Sequence, residues 1–242
     1  MMVKEKNKKV REVLFSFVLA IVLMIFPVAS GIIVTVNNIN MPQMYWVQGA
    51  FMLASISVPL CILFITNTNL NQIGFSKVKK GSIKTVLYFF PIIAAKMGYL
   101  FFGFKQSRGI LIALAFFTVA IGLSEEVYFR GIILKRLMMR FSIKQAVLIS
   151  SVLFAVVHTA QAFSGEGFIG IALTVCNAFI FGIVASEIVI LTESLILTII
   201  WAYAIQFYQL DDTCPGHSGS NFNHLRICNY DFVWNLFVDK IT

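Results

Sequence analysis

Four residues in this chain have types and spacing suited to chemistry: Glu125, Glu126, Arg130 and His158. The first three fall within Ser124-Glu125-Glu126-Val127-Tyr128-Phe129-Arg130, between the uncharged apolar runs Ile110–Leu123 and Gly131–Leu134. A charge in lipid costs a few kcal/mol or more, so a helix at bilayer depth does not carry three of them idly. They must pair and line a polar interior. Glu126 and Arg130 are spaced i,i+4, which suits an ion pair on one helix face. A carboxylate beside an imidazole can hold and deprotonate a water molecule. Glu125, Glu126 and His158 are also the side-chain types that ligate zinc, so zinc is the candidate cofactor.

The composition sets the surroundings. Of 242 residues, 59% are hydrophobic and only 12% charged, and the mean hydropathy is +0.86. A soluble domain carries roughly a quarter charged residues. The sequence therefore predicts an all-α polytopic bundle of transmembrane helices with a buried polar site. The formal charge of +8 does not point to nucleic acid, because the cations gather at the ends of apolar segments. That is the pattern of membrane topology.

About seven spans are expected. Residues 1–12 form a basic N-terminus, and two helices occupy 13–66, over Val13–Val36 and Met44–Ile65. Trp46 anchors the second at the interface. A core covers 67–210, with spans at Ile83–Phe102 (broken by Pro91 and carrying Lys96), Gly109–Arg140, Gln145–Ala160, Phe168–Ile190 and Leu195–Gln209. Residues 211–242 form a polar tail containing Cys214, His217, His224 and Cys228, with a short amphipathic helix expected near Tyr230–Val238. Cys61 and Cys176 lie in apolar segments and are expected as small buried hydrophobes; Glu187 and Glu193 are expected to be solvated.

Orientation follows from the loops. With the N-terminus in the cytoplasm, the inner side holds five Lys/Arg before span one, four in Lys77–Lys84 and four in Lys135–Lys144. The outer side holds Lys105, Arg108, Arg226 and Lys240. This bias predicts a multi-pass protein of the cell membrane, N-terminus inside.

Depth brings the reactive groups together. Glu125 and Glu126 lie about 17 residues before the centre of the Phe141–Lys144 turn and His158 about 16 after it, which puts all three roughly 24 Å along the helices from the turn. Phe154 stands one helical turn before His158.

The pattern Glu125-Glu126-x-x-x-Arg130 followed by Phe154-x-x-x-His158 resembles the first two motifs of the CPBP family. That family comprises the type II CAAX prenyl proteases and the bacteriocin-processing or immunity membrane proteins, sometimes called Abi proteins. Phe179-x-x-Gly182, Thr192-x-Ser194 and the loop Gln72-Ile73-Gly74-Phe75 resemble further family segments. The resemblance implies intramembrane peptide cleavage of a substrate in the membrane. Glu125 and His158 would activate water, with Glu126 and Arg130 in support. It also implies His-x-x-x-Asn in the last core helix. Here the two positions fall on Ala202 and Gln206. An amide can still donate a hydrogen bond at 206, but Ala202 can neither donate nor ligate. A second reading therefore stands beside the peptidase: a catalytically impaired member serving as scaffold, regulator or bacteriocin immunity protein. A transporter or proton relay would use the same residue types but usually shows inverted repeats, and none is visible.

Overall fold

The computed structural model describes residues 2–87, 107–159 and 168–210. Among these the chain is all helical. Helix α1 runs Met2–Val36, α2 Gln43–Ser55, and α3 Ser57–Ile65. The short α4 (Leu70–Ile73) and α5 (Ser82–Val86) follow. Helix α6, Arg108–Glu126, passes directly into a π-helical stretch, Val127–Leu134, and then into α7, Lys135–Met138. Helices α8 (Ile143–Val157), α9 (Phe168–Thr192) and α10 (Ile196–Leu210) complete the described bundle.

Four helical stretches are long and apolar enough to cross a membrane: Glu5–Val36, Gln43–Ile65, Arg108–Met138 and Phe168–Thr192. Ile143–Val157 and Ile196–Phe207 are shorter apolar helices standing where the fifth and seventh spans were expected. The expected third span is described only at its start. Pro91, Lys96 and the whole tail, with Cys214, His217, His224, Cys228 and the expected helix near Tyr230–Val238, lie outside the described residues. The basic N-terminal segment is not separate from span one. It is the first part of α1, and its Glu12 is 2% exposed. Cys61 and Cys176 are exposed rather than buried; they sit on apolar helices and face outward, where a thiol is as compatible with lipid as with a core.

The carboxylate-bearing helix lies at the centre. In Arg108–Met138, 44% of the apolar window is buried, against 28% in each of the other three long helices. It touches α1, α2, α3, α4, α8, α9 and α10. Two glycines allow close approach around it. A Cβ on Gly49 of α2 would fall 2.5 Å from the Phe116 ring, and one on Gly182 of α9 would fall 2.9 Å from Ser151 Cβ of α8.

The interruption between α2 and α3 follows from Pro59. Proline has no N–H to give to the carbonyl four residues earlier, and its ring crowds that carbonyl. The carbonyl in question is that of Ser55. It is taken instead by the Tyr128 hydroxyl, which donates to it at 2.8 Å from the π-helical stretch.

At the other end of the core, the loop after α3 is joined to the turn between α9 and α10. Gly74 adopts φ +110°, and its carbonyl accepts from Leu195 N at 2.8 Å. Ser194 Oγ donates to Ser76 O at 2.8 Å, Ser76 Oγ to Glu193 O at 2.6 Å, and Lys79 N to Thr192 O at 3.0 Å. Lys135 Nζ donates to Gln72 O. The Gln72–Phe75 loop and the Thr192-x-Ser194 turn noted in the sequence are thus two halves of one clamp. Glu193, expected to be solvated, is exposed and pairs with Lys79 Nζ at 2.6 Å. Glu187 is exposed as well.

Candidate active site

Helix α6 ends with Glu125 and Glu126, and the π-helical stretch begins one residue later. Such i→i+5 stretches are rare and recur at functional sites. A turn closed by i→i+5 bonds holds more than four residues, so residues four apart stand nearly one above the other. Arg130 Nη1 accordingly donates to Glu126 Oε1 at 2.7 Å, with both side chains fully buried. The sequence predicted this pair. It did not predict the wider helical turn, for which Gly131 is the only local hint. A Cβ there would already be 3.4 Å from Leu195 Cδ1.

Glu125 is met from the last helix. Helices α6 and α10 run antiparallel: Val127 clusters with Leu195, Gly122 faces residues 199–203, and Leu114 clusters with Phe207. Helical side chains lean toward their own N-terminus, so in an antiparallel pair they lean toward each other. Glu125 and Gln206 meet in this way, Gln206 Nε2 donating to Glu125 Oε2 at 3.0 Å. Thr198, also on α10, lies beside Glu126.

His158 closes α8 and is half-buried. Its Nδ1 is 2.8 Å from the Phe154 carbonyl. A carbonyl only accepts, so Nδ1 carries the proton and Nε2 keeps a free lone pair. The imidazole joins the cluster through rings. Phe154 lies 4.5 Å from it, and the Arg130 guanidinium sits 4.4 Å from the Phe154 centroid and 5.2 Å from that of Phe181. Trp201 packs on Phe181 at 4.6 Å. Among the described residues, His158 makes no hydrogen bond to either carboxylate.

The site therefore has a half-buried rim, Glu125, His158 and Gln206, and a fully buried floor, Glu126 and Arg130. Among the described residues, five buried atoms around it lack hydrogen-bond partners: Glu126 Oε2, Arg130 Nε and Nη2, Trp201 Nε1 and Gln206 Oε1. Buried polar groups are nearly always satisfied, so a cluster of orphans calls for a partner such as water or a ligand. Trp201, Thr198 and Phe181 were not found in the sequence. Each is an ordinary residue of an apolar helix, and only the bundle brings them here.

Ala202 is 2% exposed, and its Cβ would be 3.4 Å from a Cβ placed on Gly122. Position 202 faces the carboxylate helix and serves as a close helix contact without a donor. Tyr203 turns toward Phe207, with ring centroids 5.8 Å apart.

Residues 107–207 match the family model of type II CAAX prenyl endopeptidase Rce1-like proteins. Over this stretch the chain is similar to that family. The Rce1-like segment spans α6 to α10 and contains Glu125, Glu126, Arg130, His158 and Gln206. The loop at Gln72–Phe75 precedes the matched residues, although it is bonded to them. No curated protein and no solved structure matches the chain.

Zinc needs three protein ligands and an open position for catalysis. Among the described residues no three of His, Cys, Asp and Glu are grouped to hold a metal. Within the Rce1-like segment Glu126 is bound to Arg130 and Glu125 to Gln206. The described donor set does not fit the ion, and the chemistry below is assigned to protein groups.

Proposed function

We propose that this chain is an intramembrane endopeptidase in which Glu125 takes a proton from a water molecule that attacks a peptide carbonyl. The observation that carries this reading is the 3.0 Å bond from Gln206 to Glu125, which aims a half-buried carboxylate beside the buried Glu126–Arg130 pair. A carboxylate held in one orientation and reachable from outside is what a general base requires. His158, with Nδ1 tied to its own helix, offers Nε2 as an acceptor for the same water. Arg130 balances Glu126 and leaves Glu125 free to act. The substrate is a peptide or protein associated with the cell membrane, approached by a chain whose N-terminus lies in the cytoplasm. The family match supports a peptidase and a membrane setting. The test is cleavage of a lipid-anchored peptide by purified protein in micelles. Glu125→Gln, nearly the same shape, should reduce cleavage to background; undiminished cleavage by that variant would refute the assignment.

Ala202 favours a second reading. Loss of one oxyanion donor typically costs a hundredfold to a thousandfold in rate, roughly 3–4 kcal/mol. A member without it could persist as a scaffold, regulator or immunity protein. Under that reading the cellular phenotype survives both Glu125→Gln and His158→Ala.

A further inference from the structure

The buried floor contains a donor group that no protein atom uses. Arg130 gives Nη1 to Glu126 Oε1, and the rings of Phe154 and Phe181 pack against the guanidinium at 4.4 and 5.2 Å. Its Nε and Nη2 have no partner among the described residues, and the side chain is 1% exposed. These two nitrogens share one edge of the guanidinium, where their N–H bonds run parallel. That edge is the fork with which arginine grips oxygen. Helix α10 offers no second fork: Ala202 has no donor, Gln206 Nε2 is engaged by Glu125, and the unpartnered Trp201 indole carries a single N–H.

We infer that the open edge of Arg130 receives the carbonyl oxygen of the scissile peptide bond and stabilises its negative charge, in the role that position 202 cannot fill. The inference rests on the peptidase reading and names a group that touches the reacting atoms. Charge bookkeeping favours this occupant over a carboxylate, which would add a third negative charge beside Glu125 and Glu126. Peptide attack adds none. The water oxygen bonds to the carbonyl carbon, its proton passes to Glu125, and the carbonyl π pair moves onto oxygen. Glu125 thus loses its charge as the oxyanion gains one. Collapse re-forms the C=O bond and breaks the C–N bond, and the leaving nitrogen takes the proton from Glu125. Donors fixed before the reaction in a site of low dielectric stabilise such a charge strongly.

The test uses Arg130→Lys, which keeps a cation for Glu126 but removes the fork. It compares a peptide aldehyde, whose hydrate mimics the tetrahedral state, with the matching peptide alcohol. Wild type should bind the aldehyde more tightly. Arg130→Lys should lose that preference, keep its affinity for the alcohol, and lose about a hundredfold to a thousandfold in kcat with little change in KM. The inference is overturned if Arg130→Lys retains wild-type kcat, or if it weakens aldehyde and alcohol equally. It is also overturned if Trp201→Phe, and not Arg130→Lys, abolishes the preference, because the indole N–H would then be the donor. If wild type neither cleaves peptide nor distinguishes aldehyde from alcohol, the peptidase reading itself falls and takes the inference with it. Cleavage at the wild-type rate in Arg130→Lys removes the inference alone.

Discussion

Gln206 determines where Glu125 points. Its Nε2 is the donor at 3.0 Å, and its Oε1 is left without a partner. Gln206→Met keeps the length and removes the bond. A hydrogen bond to a charged group contributes about 1.5–3 kcal/mol, so kcat should fall by roughly tenfold to a hundredfold. Stopped peptide-cleavage assays on folded variant would show it, and an unchanged kcat would separate Gln206 from the general base. The charged members of this site were legible from the sequence because charge within apolar helices is rare enough to stand out, whereas Gln206 was reached only through the motif resemblance of its helix. The residues that complete its walls were not. Phe181 and Trp201 look like any aromatic residues of an apolar helix, and their role depends on which neighbour α9 and α10 present to Arg130.

At the scale of elements, two features bind the core. The Tyr128 hydroxyl answers the Ser55 carbonyl that Pro59 cannot engage. Tyr128→Phe leaves that buried carbonyl unpaired and should cost about 1–3 kcal/mol. Thermal unfolding in detergent would register it as a lowered Tm. On hydropathy Met44–Ile65 reads as one span, Pro59 included, and the carbonyl that Pro59 leaves free lies 73 residues from the phenol that takes it, a separation no local pattern bridges. The second feature is the clamp between the Gly74–Lys79 loop and the Thr192–Leu195 turn. Lys79 holds the Glu193 carboxyl below its ordinary value, by hydrogen bond and charge. A depressed carboxyl stabilises the folded form fully above its unfolded pKa and loses that contribution as pH falls through the folded one. The protection of Lys79 N–H from hydrogen exchange, relative to the intrinsic rate at each pH, should therefore fall on acidification through the carboxylate range. In Glu193→Gln the protection should be low throughout and lack that step.

For the whole molecule, the N-terminal helix is bound to the carboxylate-bearing helix by charge. Arg136 Nη2 and Nε each lie 2.9 Å from Glu12 Oε2, and Arg136 packs 4.1 Å over the Phe15 ring. Glu12 is almost wholly buried, and Arg136→Ala leaves it, among the described residues, only the exposed Arg11, 3.6 Å away. Breaking a buried pair costs about 3–5 kcal/mol, and the partial exposure of Arg136 places this one near the lower figure. Chemical unfolding monitored by tryptophan fluorescence should reveal the loss, and Glu12→Gln in the same background should restore part of it. Composition made the α-helical membrane class plain, and loop charges suggested an orientation. Neither told that the basic N-terminus continues the first span as helix, because a run of lysines reads the same whether coiled or free. The short helices Ile143–Val157 and Ile196–Phe207 likewise read as full spans on hydropathy alone.

The tyrosine that engages Ser55 sits two residues from Glu126 and two from Arg130. Any change at the interruption between α2 and α3 would move the carbonyl it holds, and with it an anchor of the turn that orients the ion pair. Bilayer thickness acts on such an interruption, since a span longer or shorter than the local hydrocarbon layer tilts or flexes to match it. Lipid chain length is thereby coupled to the geometry of the acidic centre, through one phenol and one proline.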